Sequence, residues 1–144
     1  MIIPEKWDKR FLKLAEHIAT WSKDPSTQVG AVITLDKIVI AHGFNGFASG
    51  VSDDARYLHN REEKYPRTIH AELNAILTAK RDLKGHTMYC THNPCASCTS
   101  AIIQSGIRRI VTYKPDADFR SRWNEDIAIS EGMCEDSGTV INLY

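Results

Sequence analysis

His70-Ala71-Glu72 and, further along, Pro94-Cys95-Ala96-Ser97-Cys98 hold the residues of this chain best suited to chemistry. One imidazole and two thiols are borderline or soft ligands, a set that suits zinc. Three protein ligands leave a fourth tetrahedral position open to water, as in a catalytic site. An ion held this way lowers the pKa of water from about 15.7 toward 7, worth about 12 kcal/mol at about 1.36 kcal/mol per unit. Glu72, two positions beyond the histidine, reads as the carrier of protons to and from that water, not as a ligand. The competing reading is a structural zinc staple. It would need a fourth ligand from His17, His42, His59, His86, His92, Cys90 or Cys134, because the motif supplies none. Cys90 and Cys134 read as inert buried thiols.

These residues must be positioned by the elements around them. Trp7, Phe11, Leu14, Ile18 and Trp21 recur at helical spacing and predict a helix over residues 4–22, with its aromatics in the core and Pro4 in its first turn. Val29 to Leu35 and Ile38 to Ala41 flank Asp36-Lys37 and predict a β-hairpin. Residues 43–69 show no sustained periodicity, and so long a connection in a compact domain is usually functional. A helix is predicted from about Ile69 to before Gly85, with Leu73, Ile76 and Leu77 on its apolar face. Thr87 to Thr91 reads as a buried strand. Asn93-Pro94 is a helix-start signal, and Gly106 a stop. Ile107 to Tyr113 and Thr139 to Leu143 complete the strands, with a helix over about 123–133 between them.

The order α-β-β-α-β-α-β-α-β predicts an α/β fold, a largely parallel sheet begun by one antiparallel hairpin. Both halves of the motif then open helices, whose N-termini favour the thiolate form of cysteine. Cys95 and Cys98, at i and i+3, lie on one face of a first turn. The stretch from His70 to Cys95 leaves room for a helix, a turn and a strand, so the two helix starts can meet.

Composition narrows the function. The 144 residues read as a single domain, 1–144, with 42% apolar and 25% charged residues, ordinary for a globular protein. Lys+Arg and Asp+Glu stand at 18 each, which argues against a polynucleotide partner and for a small-molecule substrate. Lys80-Arg81 and Arg108-Arg109 read as solvated ends of elements. No apolar run reaches about 18 residues, so no membrane association is expected. The cysteine spacing points to metal chemistry in a reducing compartment, and cytoplasmic location is the expectation.

The pattern H-x-E…P-C-x-x-C is a known signature of zinc deaminases of nucleobases. The chain resembles the deoxycytidylate (dCMP) deaminases of the cytidine deaminase-like superfamily over most of its length. The resemblance rests on Ser22 to Ala31, on Gly43-Phe44-Asn45-Gly46 as a G-[YF]-N-G turn, on Gly50 to Asp54, on His70 to Ile76 and on Ile102 to Ile107. Deaminases of tRNA adenosine share HAE and PCxxC but typically carry Met where this chain has Ser97.

The resemblance implies a three-layer α/β/α sandwich with a five-stranded mixed sheet. It implies one catalytic Zn2+ on His70, Cys95 and Cys98, Glu72 as the catalytic residue, and conversion of dCMP to dUMP and ammonia for thymidylate synthesis. By the same resemblance, Asn45 bonds the deoxyribose, the Ala71 N–H reads the pyrimidine carbonyl, and Lys23, Ser26 and Thr27 meet the 5′-phosphate. Some relatives carry Arg near Ser26; this chain does not. The family is commonly hexameric, activated by dCTP and inhibited by dTTP, with Mg2+ accompanying the triphosphate. Gly43, Asn45, Gly46, Gly50 and Arg120 are the positions implied for that effector site. Alternatives are a deaminase of dCTP or another cytosine nucleoside or nucleotide, and a catalytically silent zinc module that binds nucleotides.

Overall fold

The computed structural model describes residues 2–144. Its elements run α1 (Glu5–Ala19), β1 (Gly30–Leu35), β2 (Ile38–Phe44), β3 (Gly46–Phe47), α2 (Ala55–Leu58), α3 (Arg61–Arg67), β4 (Thr68–Ile69), α4 (Ala71–Ala79), β5 (Thr87–Cys90), α5 (Ala96–Gln104), β6 (Arg109–Thr112), α6 (Ala117–Arg122), α7 (Asn124–Ser137) and β7 (Val140–Leu143).

The main sheet has five strands in the order β2-β1-β5-β6-β7, and β3 pairs with β4 in a separate two-stranded ribbon. Strand alternation divides the core into two layers. Val32, Tyr89 and Val111 point toward α1, where Phe11, Leu12, Ala15 and Ile18 meet them. Ala31, Ile33, Met88, Cys90 and Ile110 point to the other face, against Ala71 and Ala75 of α4, Ile102 of α5 and Cys134 of α7. The result is a three-layer α/β/α sandwich around a mixed sheet.

In strand direction the sheet is largely parallel, as expected: β2, β5, β6 and β7 run one way and β1 alone runs against them. β1 is antiparallel to both β2 and β5, while β5–β6 and β6–β7 are parallel. The crossover through α4 does join two parallel strands, β2 and β5, but β1 lies between them and pairs antiparallel with each. Periodicity reveals that a crossover exists, not which strand it straddles.

The 43–69 connection is also more ordered than its sequence predicts. It contains α2 and α3, capped by Asp54 and Asn60, whose side chains accept from the N–H groups of Arg56 and Glu62. These helices are too short to show a hydrophobic period.

Element ends shift as well. α1 starts after Pro4 and stops at Ala19, leaving Trp21 half exposed against the rings of His42 and Phe44. α4 begins at Ala71 and ends where Lys80 turns left-handed. Its buried residues are Ala71, Glu72 and Ala75, whereas Leu77 is exposed. Small side chains are required there because β2 runs close: a Cβ on Gly43 would lie 2.4 Å from the Ala71 carbonyl oxygen. β6 begins at Arg109, two residues later than predicted, and α7 extends from Asn124 to Ser137. Among the described residues, no helix is long and apolar enough to cross a membrane.

Candidate metal centre and active-site cleft

His70 is the N-cap of α4, and Cys95 is the N-cap of α5. The Asn-Pro signal therefore lies just outside α5. The cap is the thiol itself, with Cys95 Sγ accepting from the Cys98 N–H at 3.4 Å. A sulfur that caps a helix is held at its positive end, where the thiolate is favoured. Asp126 of α7 braces the same turn, accepting from the Ala96 N–H at 3.0 Å.

The two helix starts converge. His70 Nδ1 lies 3.6 Å from Cys95 Sγ and 3.3 Å from Cys98 Sγ. A tetrahedral ion with Zn–N of about 2.0 Å and Zn–S of about 2.3 Å would hold nitrogen and sulfur about 3.5 Å apart. The donor set and its spacing fit zinc. Among the described residues this is the one His/Cys/Asp/Glu group of three or more close enough to hold a metal. A fourth protein ligand, which a structural staple would need, is not gathered there.

The electrostatics agree. The hydrogen bond from Cys98 holds the Cys95 thiol down to about 4. That same bond, together with burial, pushes the Cys98 thiol up, because its anion would sit against the first. A divalent cation between the sulfurs removes this repulsion. Glu72 is 4% exposed, and burial pushes its carboxyl up. Cys90 and Cys134 are buried free thiols outside this group.

A cleft of about 840 Å³ opens over the centre. Its walls include His70, Ala71, Glu72 and Cys95, together with Ser26, Thr27 and Asn45. The Asn45 side chain is already used as a clamp: Oδ1 accepts from the Val29 N–H at 2.8 Å, and Nδ2 donates to the Thr27 carbonyl at 2.8 Å. One Nδ2 hydrogen and one Oδ1 lone pair remain for a ligand.

Other predicted positions fall elsewhere. Lys23 is salt-bridged to Asp53 and lines a neighbouring pocket of about 280 Å³ with Asn45, Gly46 and Gly50. Gly43 lines neither space and serves the β2–α4 packing described above. Arg120 is paired with Glu131 at 3.0 Å and lines neither space.

Two groups of lining residues escape the sequence reading. His59, Arg61 and Lys64 come from the 43–69 connection, where they look like ordinary solvated charge. His92, Phe119 and Trp123 form an aromatic wall, with His92–Phe119 and Phe119–Trp123 centroids 6.3 and 6.2 Å apart. The chain therefore does own an aromatic set facing its cleft. Its members come from two distant segments, so no local pattern marks it.

Sequence relatives agree with this geometry. The profile of the family described as cytidine and deoxycytidylate deaminase zinc-binding region matches residues 5–114. An uncharacterized deaminase in the luxG 3′ region of Aliivibrio fischeri is 50% identical over 136 residues, covering 94% of this chain and 92% of that protein. Deoxycytidylate deaminase of Mus musculus is 40% identical over 113 residues, covering 74% of this chain and 64% of the mouse protein. The chain thus matches slightly under two thirds of the mouse enzyme's length. In fold, the dCMP deaminase of cyanophage S-TIM5, crystallised with dCMP and dUMP, superimposes with a TM-score of 0.80 at 22% identity, covering 99% of this chain and 100% of that one.

Proposed function

This chain belongs to the cytidine and deoxycytidylate deaminase zinc-binding family, and from that premise we propose that it hydrolyses dCMP to dUMP and ammonia. The observation that carries the proposal is the pairing of a three-ligand centre with buried Glu72 on the wall of one cleft. His70, Cys95 and Cys98 would hold zinc. When bound, the ion supplies Lewis acidity that makes water a nucleophile at neutral pH.

The chain's own residues do the rest. Glu72 takes a proton from the water attacking C4 and delivers it to the ring nitrogen; it then takes the second proton from the hydroxyl now on C4 and passes it to the amine, and the C4–N bond breaks to release ammonia and leave the C4 carbonyl. The Ala71 N–H, in the first turn of α4, has no partner within the helix and is free to donate to the pyrimidine carbonyl. The remaining Asn45 donor faces the sugar. The aromatic wall of Phe119 and Trp123 supplies the apolar surface a base needs.

The neighbouring pocket at Asn45, Gly46 and Gly50 is the proposed effector site, with dCTP and Mg2+ activating and dTTP inhibiting. The assembly is proposed as a hexamer in the cytoplasm. Ammonia release from dCMP, dCTP, deoxycytidine and CMP, measured separately, tests the substrate: release from dCTP alone would displace dCMP. An unchanged hyperbolic dCMP curve on adding dCTP and Mg2+ would remove the effector site.

A further inference from the structure

Two lysine or arginine side chains line the cleft, Arg61 and Lys64. Lys64 is not free. Its Nζ donates to Asp24 Oδ1 at 3.0 Å and to Ser26 Oγ at 3.3 Å, and the Lys64 and Asp24 side chains are 7% and 10% exposed. The same Asp24 oxygen accepts from the N–H groups of Ser26, at 2.8 Å, and Thr27, at 3.2 Å. Those backbone donors, the natural phosphate contacts of the 23–27 segment, are therefore satisfied internally, and the one buried cation beside them is neutralised.

Arg61 is different. It is exposed, it lines the cleft, and among the described residues it has no carboxylate partner. Its guanidinium lies 4.8 Å from the centroid of the Tyr65 ring. That contact restrains the flat face and leaves the N–H edges to meet a ligand. Arg61 opens α3, and α3 runs through β4 directly to His70. The Asp24–Lys64 pair pins the middle of α3 against the 24–27 loop, fixing where Arg61 is presented.

We propose that Arg61 recognises the 5′-phosphate, by a forked pair of hydrogen bonds to its oxygens, and that it sets the preference for nucleotide over nucleoside. The inference rests on the dCMP reading. It makes Arg61, not Lys23, the charge that selects the monophosphate, with Asp24 and Lys64 as its positioning residues.

The test compares kcat/KM for dCMP and deoxycytidine in the zinc-loaded wild type, Arg61→Gln and Arg61→Lys. Because Arg61 is exposed, neither variant removes core packing. In Arg61→Gln the dCMP/deoxycytidine ratio should fall about tenfold to hundredfold, the range for losing a charge-assisted contact, chiefly through KM. Arg61→Lys should recover part of it. Inorganic phosphate should inhibit the wild type competitively and Arg61→Gln far less. If the wild type prefers dCMP and Arg61→Gln keeps that ratio, the Arg61 assignment is wrong while the dCMP reading stands. If the wild type shows no preference for dCMP over deoxycytidine, both are overturned.

Discussion

His70 Nδ1 and Cys98 Sγ stand 3.3 Å apart although 28 positions separate them in the chain. Neither residue is brought there by its own helix alone. β5 carries the chain back across the sheet, so the start of α5 lies beside the start of α4. The distance is close to the separation that two ligands of one tetrahedral zinc ion keep, and this gives the first prediction. Purified protein should bind one zinc per chain, measured by elemental analysis. Cys95→Ser or His70→Ala should weaken zinc binding by more than about 100-fold, since even loss of a supporting hydrogen bond to a ligand can cost that much.

Glu72→Gln separates chemistry from binding. The variant should keep its zinc, because Glu72 is not among the ligands, and should lose at least about 10³ of kcat. Zinc content and turnover measured on one preparation check both halves. Retained turnover would remove Glu72 as the proton carrier.

Gly43 is a packing position. A Cβ there would lie 2.4 Å from the Ala71 carbonyl oxygen and 2.5 Å from the Ala75 nitrogen. Gly43→Ala should destabilise the fold by about 3 kcal/mol, read from urea unfolding. It should also lower zinc affinity, because the displaced helix carries His70. Gly50→Ala, with open space around it and a left-handed φ of +84°, should cost only about 1 kcal/mol and leave zinc binding unchanged.

Asp8 is predicted to govern acid stability. Its carboxylate is 1% exposed and accepts hydrogen bonds from Arg109, at 2.8 and 2.5 Å, from Tyr89 at 2.7 Å and from Tyr144 at 2.6 Å. Burial alone would raise its pKa; the donors, Arg109 foremost, outweigh it and hold the carboxyl below the usual carboxylate range. A group depressed in the folded state contributes stability that is full above the unfolded pKa and is lost as pH falls through the folded one. Asp8→Asn should therefore cost about 3 kcal/mol near neutral pH. The gap to wild type should close progressively below about pH 4, followed by denaturant unfolding across pH.

The hairpin at β1–β2 and the strands β5, β6 and β7 are legible as short, mostly apolar runs bounded by turn signals. The motif is legible because metal chemistry admits few residue types at few spacings. The connection from Gly43 to Ile69 is not: α2 and α3 are too short to display a period, and charges such as Arg61 and Lys64 look solvated until the fold turns them into a cleft.

The sequence by itself determined the candidate His/Cys/Cys ligand set, the carboxylate proposed beside it as proton carrier, and the alternation of helix and strand, since all three are set by local spacing. Only the tertiary structure decided that β1 separates the two strands joined through α4, that Lys23 pairs with Asp53 while Lys64 pairs with Asp24, and that His92, Phe119 and Trp123 share a wall with the metal centre. Strand order and ion-pair choice follow from which distant surfaces exclude water together. No spacing along the chain encodes that.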